Sequence, residues 1–341
     1  MSRASLVAML LAVEVLIAGM VVFVLGGSGR WSGFHGPLFA AGAHSIDFIA
    51  NPIAPLKAGS TPHIAVDDPE SRIEVATSND GLVHVKDLTS LHGAFFANHF
   101  SPPSQLDVKR TPDGVSISRP GSYRLGMAFQ IGSFSRRVEI DVPAGSHIDV
   151  ARCAGATVAG IQGNVDVRSQ DGRITLADLQ GSVDGRSDDG SISVTRVRGD
   201  TLALQSADGR ITLNDVAVSS LNARTSNGRI EARDLTIAGG SQPRATLHSD
   251  DGSIHADGSF AAGGSYEMST NNGSIRLGLA RNADLTVSAS TGDGKVLVDG
   301  SSFENSGGDS VTHTVRLGNG SGSLRLSSGD GSIHIQTNGA V

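Results

Sequence analysis

Cysteine is almost absent: the one thiol, Cys153, excludes an intrachain disulfide and a cysteine-based zinc centre, and is read as a small buried apolar residue. Aromatic side chains are scarce at 4%, and they are unevenly placed. Eight of the eleven phenylalanines (Phe34, Phe39, Phe48, Phe95, Phe96, Phe100, Phe129 and Phe134) lie between the first apolar run and residue 135, so the later part must build its interior from Ile, Val, Leu and Ala. Nor is there an excess of positive charge. The 27 basic and 34 acidic side chains give a net charge of −7, which removes any general attraction to nucleic acid. Proline is sparse at 11 while glycine reaches 44, a pairing that excludes collagen and a Pro-rich linker and calls for frequent tight turns.

Long apolar runs are missing with one exception, Ser5 to Leu25, which is broken only by Glu14 and Gly19. As a helix this run would be about 31 Å long, enough to cross the hydrocarbon core of a bilayer. It exceeds the apolar stretch of a cleavable signal peptide, and the nearest small-residue cleavage pattern, Ala41-Gly42-Ala43, lies well downstream. Residues 1–27 are therefore predicted to form an N-terminal transmembrane anchor, with a signal segment as the alternative, a short leading tail inside and the remainder facing the periplasm or cell exterior. Residues 28–61, rich in Gly, Ala and Pro without a sustained period, read as a flexible linker.

What the chain does have is a repeat. Nine times a Ser or Thr stands three residues before a glycine, Asp or Asn stands immediately before it, and Ile or Val follows two residues after, with glycines at 81, 172, 190, 209, 228, 252, 273, 294 and 331. The turn pairs Asp171-Gly172, Asp189-Gly190, Asp208-Gly209, Asn227-Gly228 and Asp251-Gly252 typify it. Asp or Asn followed by Gly accepts the positive backbone angles of a tight turn, and a hydroxyl three residues upstream can accept from the turn's amides. The β-branched residue beyond begins a strand, and alternation on both sides makes one face of each strand apolar. A second punctuation follows seven residues past the glycine, at Leu88, Leu179, Val197, Val216 and Leu235. Each unit is thus strand, Asp-Gly turn, strand, second turn.

Glycine spacings of 18, 19, 19, 24, 21 and 21 mark a stacked repeat in which no unit buries its apolar face alone. The final interval, 37 residues before Gly331, approximates two units with SSFENSGGDS inserted. Two arrangements satisfy the pattern. In an array of antiparallel hairpins, Asp-Gly is a two-residue turn; in a parallel, β-helix-like solenoid it is a corner, and equivalent residues stack in ladders. The constant two-strand unit favours the solenoid, so the predicted fold is all-β: a repetitive parallel β-solenoid behind an N-terminal transmembrane helix. Regular repeats are assigned to residues 137–341, and irregular first coils with a Phe-bearing cap to 62–136.

The stretch RRVEIDVPAGSHIDVARCAGATVAGIQGNVDVRSQDGRITL, a strand, Val-Pro-Ala-Gly and then short strands separated by Gly, resembles the bacterial putative-adhesin family of repetitive β-solenoid domains of unknown function. The resemblance covers roughly residues 137 to 335 and weakens back to 63. It implies an exported, often membrane-tethered solenoid with an adhesive or envelope-associated role, and it brings no catalytic residues. The insertion from 89 to 135 departs from the family pattern.

A search for chemistry yields one surface feature. His84, His92 and His99 lack supporting ligand spacing, the Asp-Gly series lacks the nine-residue double-glycine repeat of calcium β-rolls, and no phosphate loop, nucleophile elbow or zinc motif is present. No catalytic residue, cofactor or metal is assigned. Outward positions, however, carry Arg168, Arg186 and Arg224 four residues before the glycine and Arg173, Arg210 and Arg229 one after it. Stacked coils would line these into a basic stripe able to hold an acidic envelope glycan or an envelope protein, or merely keep the sheet edge solvated. The predicted function is a membrane-anchored extracytoplasmic solenoid with an adhesive, envelope-associated or structural binding role and no enzymatic activity. The alternative is a carbohydrate-active β-helix enzyme, a polysaccharide lyase or hydrolase, which would need clustered exterior acids and aromatic platforms. The repeats offer only Phe260, Tyr266 and Phe303 as such platforms.

Overall fold

Alternation builds most strands of the repeat region: in Val165–Ser169, Val165, Val167 and Ser169 turn inward while Asp166 and Arg168 face out. The computed structural model describes residues 36–40, 46–49, 53–100, 106–120, 126–303 and 310–337, with the side chains of 36–49, 91–100 and 126–134 excepted. The predicted anchor lies outside these residues. Among the described residues every regular element is a β-strand, and no helix is long and apolar enough to cross a membrane.

The chain forms two compact units, one of residues 54–85, 108–118 and 139–341, the other of 1–53, 86–107 and 119–138. Residues 62–136, a single block by sequence, contribute to both. In the smaller unit, strands Gly36–Ala40 and Ile46–Ile49 pair antiparallel with His84–Phe100. The segment AFFANHF belongs to this last strand. Asp87 and Arg119, 3% and 1% exposed, form a buried ion pair at 2.8 Å.

The larger unit is a parallel β-solenoid. Each coil has a leading strand that ends on the repeat's hydroxyl and a trailing strand that begins on its Ile or Val. Parallel register joins Ile174 to Ile192, Ile211, Ile230, Ile254 and Ile275 in succession, which excludes the antiparallel hairpin array. These isoleucines are 0% exposed and form one column of a core filled by Val, Leu and Ala from both strands. The longer spacings are absorbed at the second turn, where residues 238–243 and 261–264 loop out between strands.

The hydroxyls and glycines tie coil to coil. Ser206 Oγ accepts from its own coil's Gly209 amide at 2.9 Å and donates to Gly190 O of the preceding coil at 3.0 Å. Ser187, Thr225, Ser249, Thr270, Thr291 and Ser328 repeat both contacts. These side chains are buried, so the ladder satisfies polar backbone groups that no water reaches. The glycines stack in the same way. A Cβ on Gly209 would lie 2.1 Å from Gly190 O, and one on Gly228 2.0 Å from Gly209 O. Gly209 does not have the positive φ expected of a tight turn; close approach of neighbouring backbones, not handedness, demands glycine there. Left-handed residues occur instead at the second turn, at Asp178, Arg196, Asp215 and Asp234, with φ between 52° and 55°.

Two assignments change at the ends. The copy at Gly81 is not in the column: Ile73 already pairs with Ala156, which pairs with Ile174, so the Ser78–Val83 turn falls beyond the corner. Gly81 has φ +71° with nothing near its missing Cβ, and Asp68 and Cys153 take the hydroxyl positions of the first two coils. At the other end the coils are out of order. The last coil, strands Gly322–Ser328 and Ile333–Gln336, inserts between Ser265–Thr270/Ile275–Leu279 and Leu285–Thr291/Val296–Val298. The 37-residue interval is therefore one outer coil, closed by antiparallel strands Ser301–Phe303 and Val311–Leu317, and a return.

Candidate charged binding surface

The six arginines fall in two rows, not one stripe, because the Asp-Gly corner separates the position four before the glycine from the position one after it. In the first row Arg168 is beside Arg186, followed by Gln205, Arg224 and His248 on successive coils. Two residues upstream runs a second ladder, Asp149, Asp166, Asp184, Ala203 and Asn222. The two meet: Arg168 Nη2 lies 3.0 Å from Asp166 Oδ2, Arg186 Nη2 lies 2.8 Å from Asp184 Oδ2, and Arg224 Nε donates to Asn222 Oδ1 at 3.0 Å. Interleaved acids thus relieve the repulsion of stacked guanidiniums. The Asp184 hydrogen bond raises the pKa of Arg186 further above its ordinary value.

In the second row Arg173, Ser191, Arg210 and Arg229 follow one another across the corner. Arg173 Nε donates to Ser191 Oγ at 3.1 Å, and Arg229 sits 3.5 Å from Glu231. Arg210 is exposed and has no ion-pair partner among the described residues. Between the rows the corner presents Asp171, Asp189, Asp208, Asn227 and Asp251, all exposed. Asn227 Nδ2 donates to Asp208 Oδ1 at 2.5 Å and Asn272 Nδ2 to Asp251 Oδ1, so amides interrupt the carboxylate column.

Asp166 is the strained member of the surface. Burial holds its carboxyl above the ordinary carboxylate range, with Asp184 and Asp149 adding to the effect and Arg168 and Arg186 opposing it; its Oδ1 is buried without a hydrogen-bond partner. A group whose folded pKa is raised stabilises the fold fully below its unfolded value, about 3.9 for aspartate, and loses that contribution as pH rises through the folded value. Asp166→Asn should therefore gain in melting temperature relative to the wild type as pH rises from about 3 to about 7. A difference that stays constant over that range would remove Asp166 as the cause.

The second turn carries charge that the sequence reading did not single out. Arg196 holds Asp178 at 2.6 Å, and Arg198 holds Asp215 at 2.5 Å. Arg196 keeps the Asp178 carboxyl below the usual range. Asp215, Asp234 and Asp257 share the rim of a depression of about 250 Å³. The signal was present: Asp87, Asp178, Asp215 and Asp234 immediately precede Leu88, Leu179, Val216 and Leu235, an Asp at one fixed place in four units. Among the described residues no three His, Cys, Asp or Glu side chains are placed to hold a metal ion. His84 pairs with Asp80 at 2.9 Å, and the side chains of His92 and His99 lie outside the described residues.

The family model described as Toastrack DUF4097 matches residues 104–336. No curated protein matches the chain. Among solved structures, the chain is similar to a putative adhesin from Bacteroides fragilis NCTC 9343, at 13% identity over 86% of this chain and 98% of that one, with a TM-score of 0.39. It is also similar to a putative cell adhesion protein from Clostridium sporogenes ATCC 15579, at 10% identity over 86% and 99% of the two chains, with a TM-score of 0.21.

Proposed function

We propose, from the premise that this chain belongs to the Toastrack DUF4097 family, that it is a non-enzymatic binding scaffold of the cell envelope, adhesive or structural in role. Its solenoid is held to the membrane by residues 5–25 and faces the periplasm or exterior, an arrangement that carbonate extraction of the full-length chain tests. The observation that carries the reading is the register. Coil after coil places outward positions in register at the strand spacing of about 4.8 Å, and arginine recurs at them in most coils, a lattice suited to a polymer whose own charges repeat.

The ligand class this favours is an acidic envelope glycan lying along the arginine rows that flank the Asp-Gly corner, clear of the corner's own carboxylates. Charges within a Debye length of roughly 8 Å at physiological salt act together on one ligand. The two rows are unequal. Arg168 and Arg186 already hold Asp166 and Asp184, whereas Arg210 offers its guanidinium unpaired and Arg229 meets Glu231 only at 3.5 Å. Binding of an acidic glycan should weaken steeply with salt, and fall more in the Arg173→Ser/Arg210→Ser/Arg229→Ser variant than in Arg168→Ser/Arg186→Ser/Arg224→Ser. Salt titration of glycan binding by the wild type and both variants provides the measurement. Salt-insensitive binding, or binding untouched in both variants, would sink the arginine rows as the contact.

Among the described residues two groups of acids bear on a carbohydrate-active enzyme: the ladder of Asp149, Asp166 and Asp184, in which Arg168 and Arg186 already engage Asp166 and Asp184, and the acids around the Asp215 depression. Glycoside hydrolysis asks that one carboxyl of the pair be set in an apolar, buried surround. Asp215 and Asp257 are instead 48% and 46% exposed, with Arg198 and His255 as partners. A binding role accounts for them better.

A further inference from the structure

The out-of-order last coil creates a site that a sequential stack would not have. On the outer face of the trailing strands, the position three after the glycine runs Glu231, His255, Arg276, His334 and Leu297 across neighbouring coils. His334 reaches Arg276 only because Ile333–Gln336 inserts beside Ile275–Leu279; in chain order the neighbour would be Leu297. Two residues further along, the row runs Asp257, Gly278 and Gln336. Gly278, with no side chain, leaves room that the Asp257 carboxylate fills. A Cβ there would meet Asp257 Oδ1 at 2.2 Å.

These residues line a depression of about 380 Å³, formed by His255, Asp257, Arg276, Gly278, His334 and Gln336. Among the described residues no side chain pairs with the exposed Arg276 guanidinium. His255 Nε2 lies 3.2 Å from Asp257 Oδ2 and orients that carboxylate at the rim. A guanidinium fork asks for a planar oxyanion, and a carboxylate beside it asks for hydroxyl donors. The same carboxylate repels a doubly charged phosphate. One small molecule that meets both demands is a sugar acid, which carries a single carboxylate on a ring of hydroxyls, and the volume suits a ligand of one or two rings.

We propose that this depression binds a carboxylated sugar residue, its carboxylate on Arg276 and its ring hydroxyls on Asp257, the two imidazoles and Gln336. The site is separate from the arginine rows of the corner and does not depend on them. The test is equilibrium dialysis of the full-length chain against glucuronate and against glucose. Glucuronate should bind at least about tenfold more tightly than glucose, since a charge-assisted pair is worth about that factor or more. Arg276→Gln should lose about tenfold or more in glucuronate affinity at an unchanged melting temperature, the side chain being exposed. Gly278→Ala, which displaces Asp257, should weaken glucuronate and glucose alike, whereas Arg196→Gln at the other turn should leave both as they are. Equal binding of the two sugars, unchanged glucuronate affinity in Arg276→Gln, or no saturable binding of glucuronate would each overturn the proposal.

Discussion

Gly209→Val is expected to cost at least about 4 kcal/mol, a size reserved for named disruptions of the interior. The new Cβ would lie 2.1 Å from Gly190 O, a backbone atom of the preceding coil, and 2.6 Å from Ser206 Oγ. Neither neighbour can swing aside cheaply. Gly190 O already accepts from the Ser206 hydroxyl, and that hydroxyl accepts from the Gly209 amide. Relief would have to come from parting two coils that are hydrogen-bonded along both strands. The positive backbone angle expected from the Asp-Gly pair would have predicted a loss of about 1–3 kcal/mol, and also a way out, since Asn tolerates that conformation. Close approach offers no such escape, so Gly209→Asn should be about as damaging as Gly209→Val. Arg210→Ser, one residue on and exposed, should cost under about 0.5 kcal/mol. Urea denaturation of the three variants separates the readings: a mild Gly209→Asn, or equal effects at 209 and 210, would remove the glycine column as a determinant of stability.

Deleting the chain from Gly318 onward is expected to have the other large effect. It removes Leu324, Leu326, Ile333 and Ile335, each no more than 1% exposed. Their burial is worth about 6–12 kcal/mol as an upper estimate, before the hydrogen bonds on both faces of the inserted coil are counted. Stability in stacked repeats passes between nearest neighbours. Hydrogen exchange should therefore quicken at Leu285–Thr291 and Val296–Val298, which lose their parallel partners in the deleted coil and keep only the antiparallel strands Val311–Leu317 and Ser301–Phe303, while protection persists through Ile192–Ser206 and Ile211–Thr225. Protection kept at Leu285–Thr291 in the truncated chain would mean that the outer coil steps down onto Ser265–Thr270 in chain order, and that the insertion is not what holds the end together.

Much of the solenoid was legible because its rules are local. Alternation of apolar and polar residues sets which face of a strand turns inward, and each reading of Ser, Asp, Gly and Ile at fixed offsets marks a corner without reference to the rest of the chain. The inward hydroxyls, the isoleucine column and the two-strand coil all follow from spacings within about ten residues. The candidate surface was half legible: outward arginines could be picked out by parity, but their partners Asp166 and Asp184 matter only once side chains on one strand are seen to meet.

What the tertiary structure decided was everything that depends on which copy lies beside which. Near-identical coils fit one another almost interchangeably, so the local pattern cannot say that Ile333 sits between Ile275 and Val296, or that Gly81, which matches the motif at every position, stands outside the column. It cannot distinguish a glycine needed for its backbone angle from one needed because another glycine's carbonyl lies 2.1 Å from where a Cβ would be. Nor can it place His334 against Arg276. The amino-acid sequence by itself determined the coil, since strand faces and corners are short-range properties of the chain; the order of the coils, and with it the contacts between them, was settled only by closing the whole stack, where long-range packing chooses among pairings that local chemistry leaves nearly equal.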